Sequence, residues 1–289
     1  LTPPSDMKTL ITAADLMARV LDAAPPLLFD CGFDLADTDA GERNWRAGHL
    51  PGAQYLHLDR DLAGTRHDAT GRFLGRHPLP ERAALAVRLG QLGVTPRSAV
   101  VCYDAQGGPY ASRAWWLLRW MGHDDVAVLD GGAAAWREAG GALTTEVPAL
   151  LAAAPYPQQP AAMAVIEAGA LQTRLGRTPL IDARAGERFR GEVEPLDRAA
   201  GHIPGARNRF FKDNLAPDGR FKSPAALRAE WLPLLASHPA CEVVQQCGSG
   251  VTACHNLLAL AHAELGDSQL YPGSWSEWSA DPARAQAAG

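Results

Sequence analysis

The segment Gln245-Gln246-Cys247-Gly248-Ser249-Gly250-Val251-Thr252-Ala253 holds the residues whose types and spacing could do chemistry. An apolar pair, Val243-Val244, runs into a cysteine, small residues follow, and a helical pattern continues through Asn256-Leu257-Leu258-Ala259-Leu260. A cysteine so placed faces the free amides of a tight turn and of a helix N-terminus, and both favour a negative sulfur. Cys247 is therefore a candidate nucleophile. A free thiol with a pKa near about 8.5 is only a few per cent ionised at pH 7. Lowering that value by about two units takes roughly 2.7 kcal/mol of preferential stabilisation of the anion. Gly248 and Gly250 let the backbone curl around the sulfur with its amides inward, and Val251 and Thr252 extend the cradle. The same cradle suits an anionic persulfide. The competing reading of any cysteine is a buried packing residue, and it is the expectation for Cys31, Cys102 and Cys241. Cys254, on the helical side of the loop, is also expected to pack.

The elements that must position this loop come from a duplication. Gly48-His49-Leu50-Pro51-Gly52-Ala53 returns as Gly201-His202-Ile203-Pro204-Gly205-Ala206, and Leu28-Phe29-Asp30 returns as Leu180-Ile181-Asp182. Val100-Val101 matches Val243-Val244. Leu129-Asp130-Gly131-Gly132 before Trp136 is echoed by Leu270-Tyr271-Pro272-Gly273-Ser274 before Trp278. Four landmarks in one order, about 150 residues apart, describe two copies of a domain and not a solenoid. Within each copy short β-rich runs alternate with helical periodicity, seen over 80–92, 111–121, 224–235 and 251–265. Such alternation predicts an α/β fold, each domain a parallel sheet flanked by helices on both faces. Ligands of such sheets sit beyond the carboxyl ends of the strands, where Cys247 falls. The expected domains are 7–144 and 164–280. The Pro- and Ala-rich stretch 145–163 reads as a semi-rigid linker. Aligning the valine pairs sets Asp104 opposite Cys247, so the first domain lacks the thiol and is expected to act as scaffold.

Bulk properties narrow the function. The chain has 289 residues and a net charge of −5, which does not suit nucleic acid as a partner. It lacks an apolar run of the roughly 20 residues that a membrane span needs, and its first ten residues do not read as a secretory leader. Five cysteines without CxxC spacing argue against a disulfide framework or a zinc site and for a reducing compartment, so a cytoplasmic location is expected. No metal or organic cofactor is expected. Phosphatase-like chemistry would want Cys-x5-Arg, but the sixth residue after Cys247 is Ala253.

Taken together, the paired Gly-His-(Leu/Ile)-Pro-Gly-Ala segments, Asp182-Ala183-Arg184 and the Cys247 loop resemble the tandem-domain rhodanese superfamily over nearly the whole chain. The loop Cys247-Gly248-Ser249-Gly250-Val251-Thr252 resembles its mercaptopyruvate branch. The thiosulfate branch usually carries basic residues directly after the cysteine, where Gly248 and Ser249 stand here. The resemblance implies transfer of sulfur from 3-mercaptopyruvate through Cys247 to a thiol such as thioredoxin, or to cyanide, with release of pyruvate. It maps a substrate-binding arginine onto Arg188. A second arginine, found in a Glu-Pro-Arg context in the family, is displaced here in Glu194-Pro195-Leu196-Asp197-Arg198, which leaves Arg198 as its replacement. It also implies that Ser249 works with His77 and Asp59 as a proton relay. The alternatives are a thiosulfate sulfurtransferase and a non-enzymatic persulfide carrier.

Several paired residues read as structural. His49 and His202 recur in both copies, one of which lacks the thiol, so each is expected to pin a turn through backbone hydrogen bonds. Asp30 and Asp182 are expected to organise loops at strand ends, and Arg184 to pair with a structural carboxylate. Trp115, Trp116 and Trp120 have the helical spacing of a core face.

Overall fold

The computed structural model describes residues 7, 9–149 and 151–289. They form two compact units. One draws on Leu1–Leu62, Pro80–Ala162 and Asp218–Arg220, the other on Ala63–Leu79, Met163–Pro217 and Phe221–Gly289. The segment Ala63–Leu79 thus lies in the first repeat by sequence but clusters with the second unit.

In the first unit β1 (Leu10–Ile11), β2 (Leu27–Asp30), β3 (Ala53–Tyr55), β4 (Val100–Tyr103) and β5 (Val126–Leu129) pair in parallel in the order β1-β5-β4-β2-β3. Every residue of β4 and β5 is buried, as expected where helices cover both faces of a parallel sheet. The helix Pro109–Trp120 opens with proline in its first turn and buries Trp115 and Trp116 completely. Asp30 accepts the Gly32 amide at 2.9 Å. His49 Nδ1 and Nε2 lie 2.7 and 3.1 Å from the carbonyl oxygens of Trp45 and Glu146, and the ring nitrogen that carries the proton donates. Both residues do what their recurrence suggests. The connector is anchored: the amides of Ala153 and Tyr156 donate to the carbonyls of Gly90 and Ala86 on the helix Arg82–Gln91. Gly90 is needed there, since a Cβ would stand 2.4 Å from the Ala154 carbonyl oxygen.

The second unit repeats the plan with β6 (Leu180–Asp182), β7 (Ala206–Asn208), β8 (Val244–Gln246) and β9 (Gln269–Leu270), parallel in the order β7-β6-β8-β9. Leu180, Ile203, Val244, Tyr271, Trp275 and Trp278 pack one core. After β6 the chain adds β7 on one side and β8 on the other. The strand order therefore reverses between β6 and β8, the place where crevices open in such sheets. Asp182 closes β6 and Cys247 follows β8. His202 bonds the Phe189 carbonyl at 2.9 Å and stacks on the Phe189 ring. Arg184 and Asp182 form a fully buried pair at 2.7 Å.

Cys31 and Cys102 are buried, as is Cys254, which lies in the helix Thr252–His262 and bonds the Gly250 carbonyl through its sulfur. Cys241 departs from expectation: it is exposed, because it sits in a short 3-10 turn, Ala240–Glu242, and not in the strand that follows. No helix among the described residues is long and apolar enough to cross a membrane.

Candidate functional site

The loop after β8 is held from two sides. The Cys247 amide donates to the Ser274 hydroxyl at 3.1 Å, and the Cys247 and Gly248 carbonyls accept the amides of Trp275 and Ser276. These bonds fix the backbone on either side of the sulfur. Gly250 then turns with φ +76°, and a Cβ there would lie 2.4 Å from the Pro272 carbonyl oxygen. Only glycine meets both demands. The turn aims the Gly250 amide at Cys247 Sγ, 3.1 Å away. The amides of Ser249, Val251 and Thr252 find no acceptor among the described residues. Cys247 is buried, with 2 % of its surface exposed. Its sulfur thus receives one directed N–H and sits beside a helix start whose first donors are uncommitted, an arrangement that favours negative charge.

The first unit supplies an internal comparison. Asp104, which follows β4 as Cys247 follows β8, turns its carboxylate into its own loop. Oδ1 accepts the amides of Gln106 and Gly108, and Oδ2 those of Tyr110 and Ala111, all within 2.8–3.0 Å. Burial pushes the Asp104 carboxyl upward and the four amides pull against it. This loop type gathers amides around an acidic group. In one copy that group is a fixed carboxylate; in the other it is a thiol.

His77 and Ser249 meet. His77 Nδ1 lies 2.7 Å from Ser249 Oγ, both side chains being buried; which of the two donates depends on the imidazole tautomer. The meeting is possible because Ala63–Leu79 belongs to the second unit. The Arg76 amide donates to Ser276 Oγ at 3.0 Å, one residue before His77. Asp59 lies in the first unit, half-buried in the short helix Leu58–Asp61, where its amide donates to His57 Nδ1.

Two guanidiniums approach the loop. A Cβ on Gly248 would stand 2.7 Å from Arg76 Nη2 and 3.4 Å from Arg188 Nη1. Gly248 is thus small because a cation occupies the place of its side chain. Arg76 forks onto Asp197, Nε to Oδ1 at 2.8 Å and Nη2 to Oδ2 at 3.3 Å. Arg188 Nη2 donates to Glu194 at 2.7 Å and to Asp197 at 3.2 Å. Burial pulls the Glu194 carboxyl upward, but Arg188 and the amides of Leu196 and Asp197 outweigh it and leave it below the ordinary range. Arg198 is exposed and forms no ion pair among the described residues. Arg188, the arginine the resemblance assigned to substrate, reaches the loop, whereas the exposed Arg198 offered as its companion is not among the side chains that a Cβ on Gly248 would meet. The sequence reading did not single out Arg76, which stands against Gly248. The available signal for Arg76 was its position directly before His77.

The fold and this loop define a duplicated α/β protein whose second half presents a cysteine at the reversal point of a parallel sheet. The chain belongs to the rhodanese family: the Rhodanese-like domain matches residues 12–139 and again 167–281. It is 49% identical over 284 residues to the "Probable 3-mercaptopyruvate sulfurtransferase" of Pseudomonas aeruginosa, covering 97% of this chain and 98% of that one. It is 33% identical over 267 residues to the thiosulfate sulfurtransferase of Cricetulus griseus, covering 87% and 84%. The 3-mercaptopyruvate sulfurtransferase structure from Leishmania major superposes with a TM-score of 0.83 at 28% identity, over 96% of this chain and 76% of that one. Sulfur transfer is common to these relatives, and the chain is a transferase of that class.

Proposed function

We propose that the protein takes sulfur from 3-mercaptopyruvate onto Cys247 and passes it to a thiol, such as reduced thioredoxin, or to cyanide. The Cys247 thiolate attacks the donor sulfur, the carbon–sulfur bond breaks, and its electron pair leaves on the enolate of pyruvate. A proton delivered to that enolate completes pyruvate, and Cys247 is left as a persulfide. The acceptor then attacks the outer sulfur and regenerates the thiolate. The Gly250 amide holds charge on the inner sulfur throughout, as a preorganised donor does in an oxyanion site. Arg188 and Arg76 bind the donor carboxylate, a task suited to guanidinium forks. Ser249 and His77, 2.7 Å apart, move the proton.

The observation that carries this reading is the convergence on one loop of the Cys247 sulfur, the Gly250 N–H at 3.1 Å and the guanidiniums of Arg76 and Arg188. The 49% identity to a relative bearing the mercaptopyruvate name supports the choice of donor. The test is steady-state pyruvate release. Multiple turnovers from 3-mercaptopyruvate, with kcat/KM above that for thiosulfate, are expected. Higher kcat/KM for thiosulfate would reassign the donor, and sulfur loading without turnover would make the protein a carrier.

A further inference from the structure

We infer that the carboxylates of Asp197 and Glu194 restrict this site to singly charged donors, with Asp197 both positioning Arg76 and setting that selectivity; the inference rests on the function proposed above. Asp197 takes the fork of Arg76 and one bond from Arg188. Glu194 takes Arg188 through one oxygen and Arg184 through the other, at 2.7 and 3.3 Å. Arg184 in turn clasps Asp182. Three guanidiniums therefore face three carboxylates, and the cluster carries no surplus charge.

The side chains of Asp197 and Glu194 are only 2% and 4% exposed, so water and salt screen them weakly. Arg76 and Arg188 are somewhat more open, at 17% and 18%. The Nη1 donors of both make no hydrogen bond among the described residues, and Arg188 Nε is buried without an acceptor. The cluster offers directed N–H groups without net positive charge. That suffices for one carboxylate, whose oxygens accept from the unused donors. A dianion brings a second negative charge into the field of two buried carboxylates, where like charges repel strongly. The cations beside Gly248 would by themselves invite thiosulfate; the carboxylates behind them cancel the invitation.

The experiment compares kcat/KM for thiosulfate and for 3-mercaptopyruvate in the whole protein, in Glu194→Gln and in Asp197→Asn. The ratio of thiosulfate to 3-mercaptopyruvate is expected to rise about tenfold in Glu194→Gln, the change that ~1.4 kcal/mol produces. In Asp197→Asn the ratio should also rise while both rates fall, because Arg76 loses its anchor. A ratio that stays constant or drops in both variants overturns the inference. Protection of wild-type Cys247 from iodoacetamide gives a second reading that needs no variant and no turnover. Pyruvate should protect at lower concentration than sulfate, and the reverse order would also overturn it. Wild-type protein that releases no pyruvate from 3-mercaptopyruvate would refute the proposed function instead, and the protection assay would still judge the charge argument.

Discussion

Replacing Gly248 with alanine tests the arginine clamp without touching a charged group. The new Cβ would sit 2.7 Å from Arg76 Nη2 and 3.4 and 3.6 Å from the two terminal nitrogens of Arg188. Ordinary contact lies near about 3.5 Å, so Arg76 must retreat by roughly 0.8 Å. Its fork on Asp197, with bonds of 2.8 and 3.3 Å, resists that movement and is broken or tilted by it. A hydrogen bond to a charged group is worth ~1.5–3 kcal/mol, so losing one clamp bond to a bound carboxylate costs about ten- to a hundredfold in rate constant. The assay is alkylation of Cys247 by iodoacetate and by iodoacetamide, reagents of similar size of which only the first carries a carboxylate. The ratio of the two rate constants should fall by about tenfold or more in Gly248→Ala, and the iodoacetamide rate should change far less. An unchanged ratio would show that neither guanidinium helps a carboxylate reach the sulfur, and the clamp would have to be abandoned.

Other consequences follow from the same geometry. Ser249→Ala and His77→Ala should each lower kcat for pyruvate release about a hundredfold, within the range of general acid–base catalysis; they should leave the thermal midpoint close to wild type, and full activity in either would remove the pair from the reaction. Asp104→Ala leaves four amides without their acceptor, those of Gly108 and Ala111 buried and those of Gln106 and Tyr110 partly so, at ~1–3 kcal/mol for each buried donor left unmet. Urea unfolding should therefore show a loss of about 2 kcal/mol or more, and an equally stable variant would contradict the role of Asp104 as the acceptor that holds its loop. Burial raises the carboxyl of Glu277 above its ordinary value of 4.5, and the Tyr271 hydroxyl, which donates to it at 2.9 Å, opposes the rise only in part. The folded state thus holds this proton at a pH where the unfolded state has released it, so stability falls as pH rises above 4.5. Glu277→Gln should flatten that decline in unfolding curves taken from acid to neutral pH, and an unaltered slope would place the cause elsewhere.

The repeat made the fold legible. Landmarks such as Gly48-His49-Leu50-Pro51 and Gly201-His202-Ile203-Pro204 mark the same turn twice, and the buried valine runs before Asp104 and Cys247 mark the matching strands β4 and β8. The longer helices were readable from their apolar period, for instance Pro224–Leu235, which the structure gives with the same bounds. Short elements were not. Leu58–Asp61 and Gly186–Phe189 span about one turn each, too few residues for periodicity to show, and tertiary contacts stabilise them. Within the site, the loop glycines disclosed the nest because each answers a local backbone demand. Arg76 was harder to find because Ala63–Leu79, though in the first repeat by sequence, belongs to the second unit, and adjacency to His77 was the one local clue. Asp197 was hidden: one carboxylate holding two guanidiniums 121 and 9 residues away is a tertiary fact.

The central claim is that Cys247 itself carries the transferred sulfur, and intact-protein mass spectrometry tests it most directly. Treatment with 3-mercaptopyruvate in the absence of acceptor should add about 32 Da, the mass of one sulfur in a persulfide. The gain should map to the peptide containing Cys247, vanish on addition of a thiol and fail to appear in Cys247→Ser. A gain that survives in Cys247→Ser, or that maps to Cys254 or the exposed Cys241, would contradict the account.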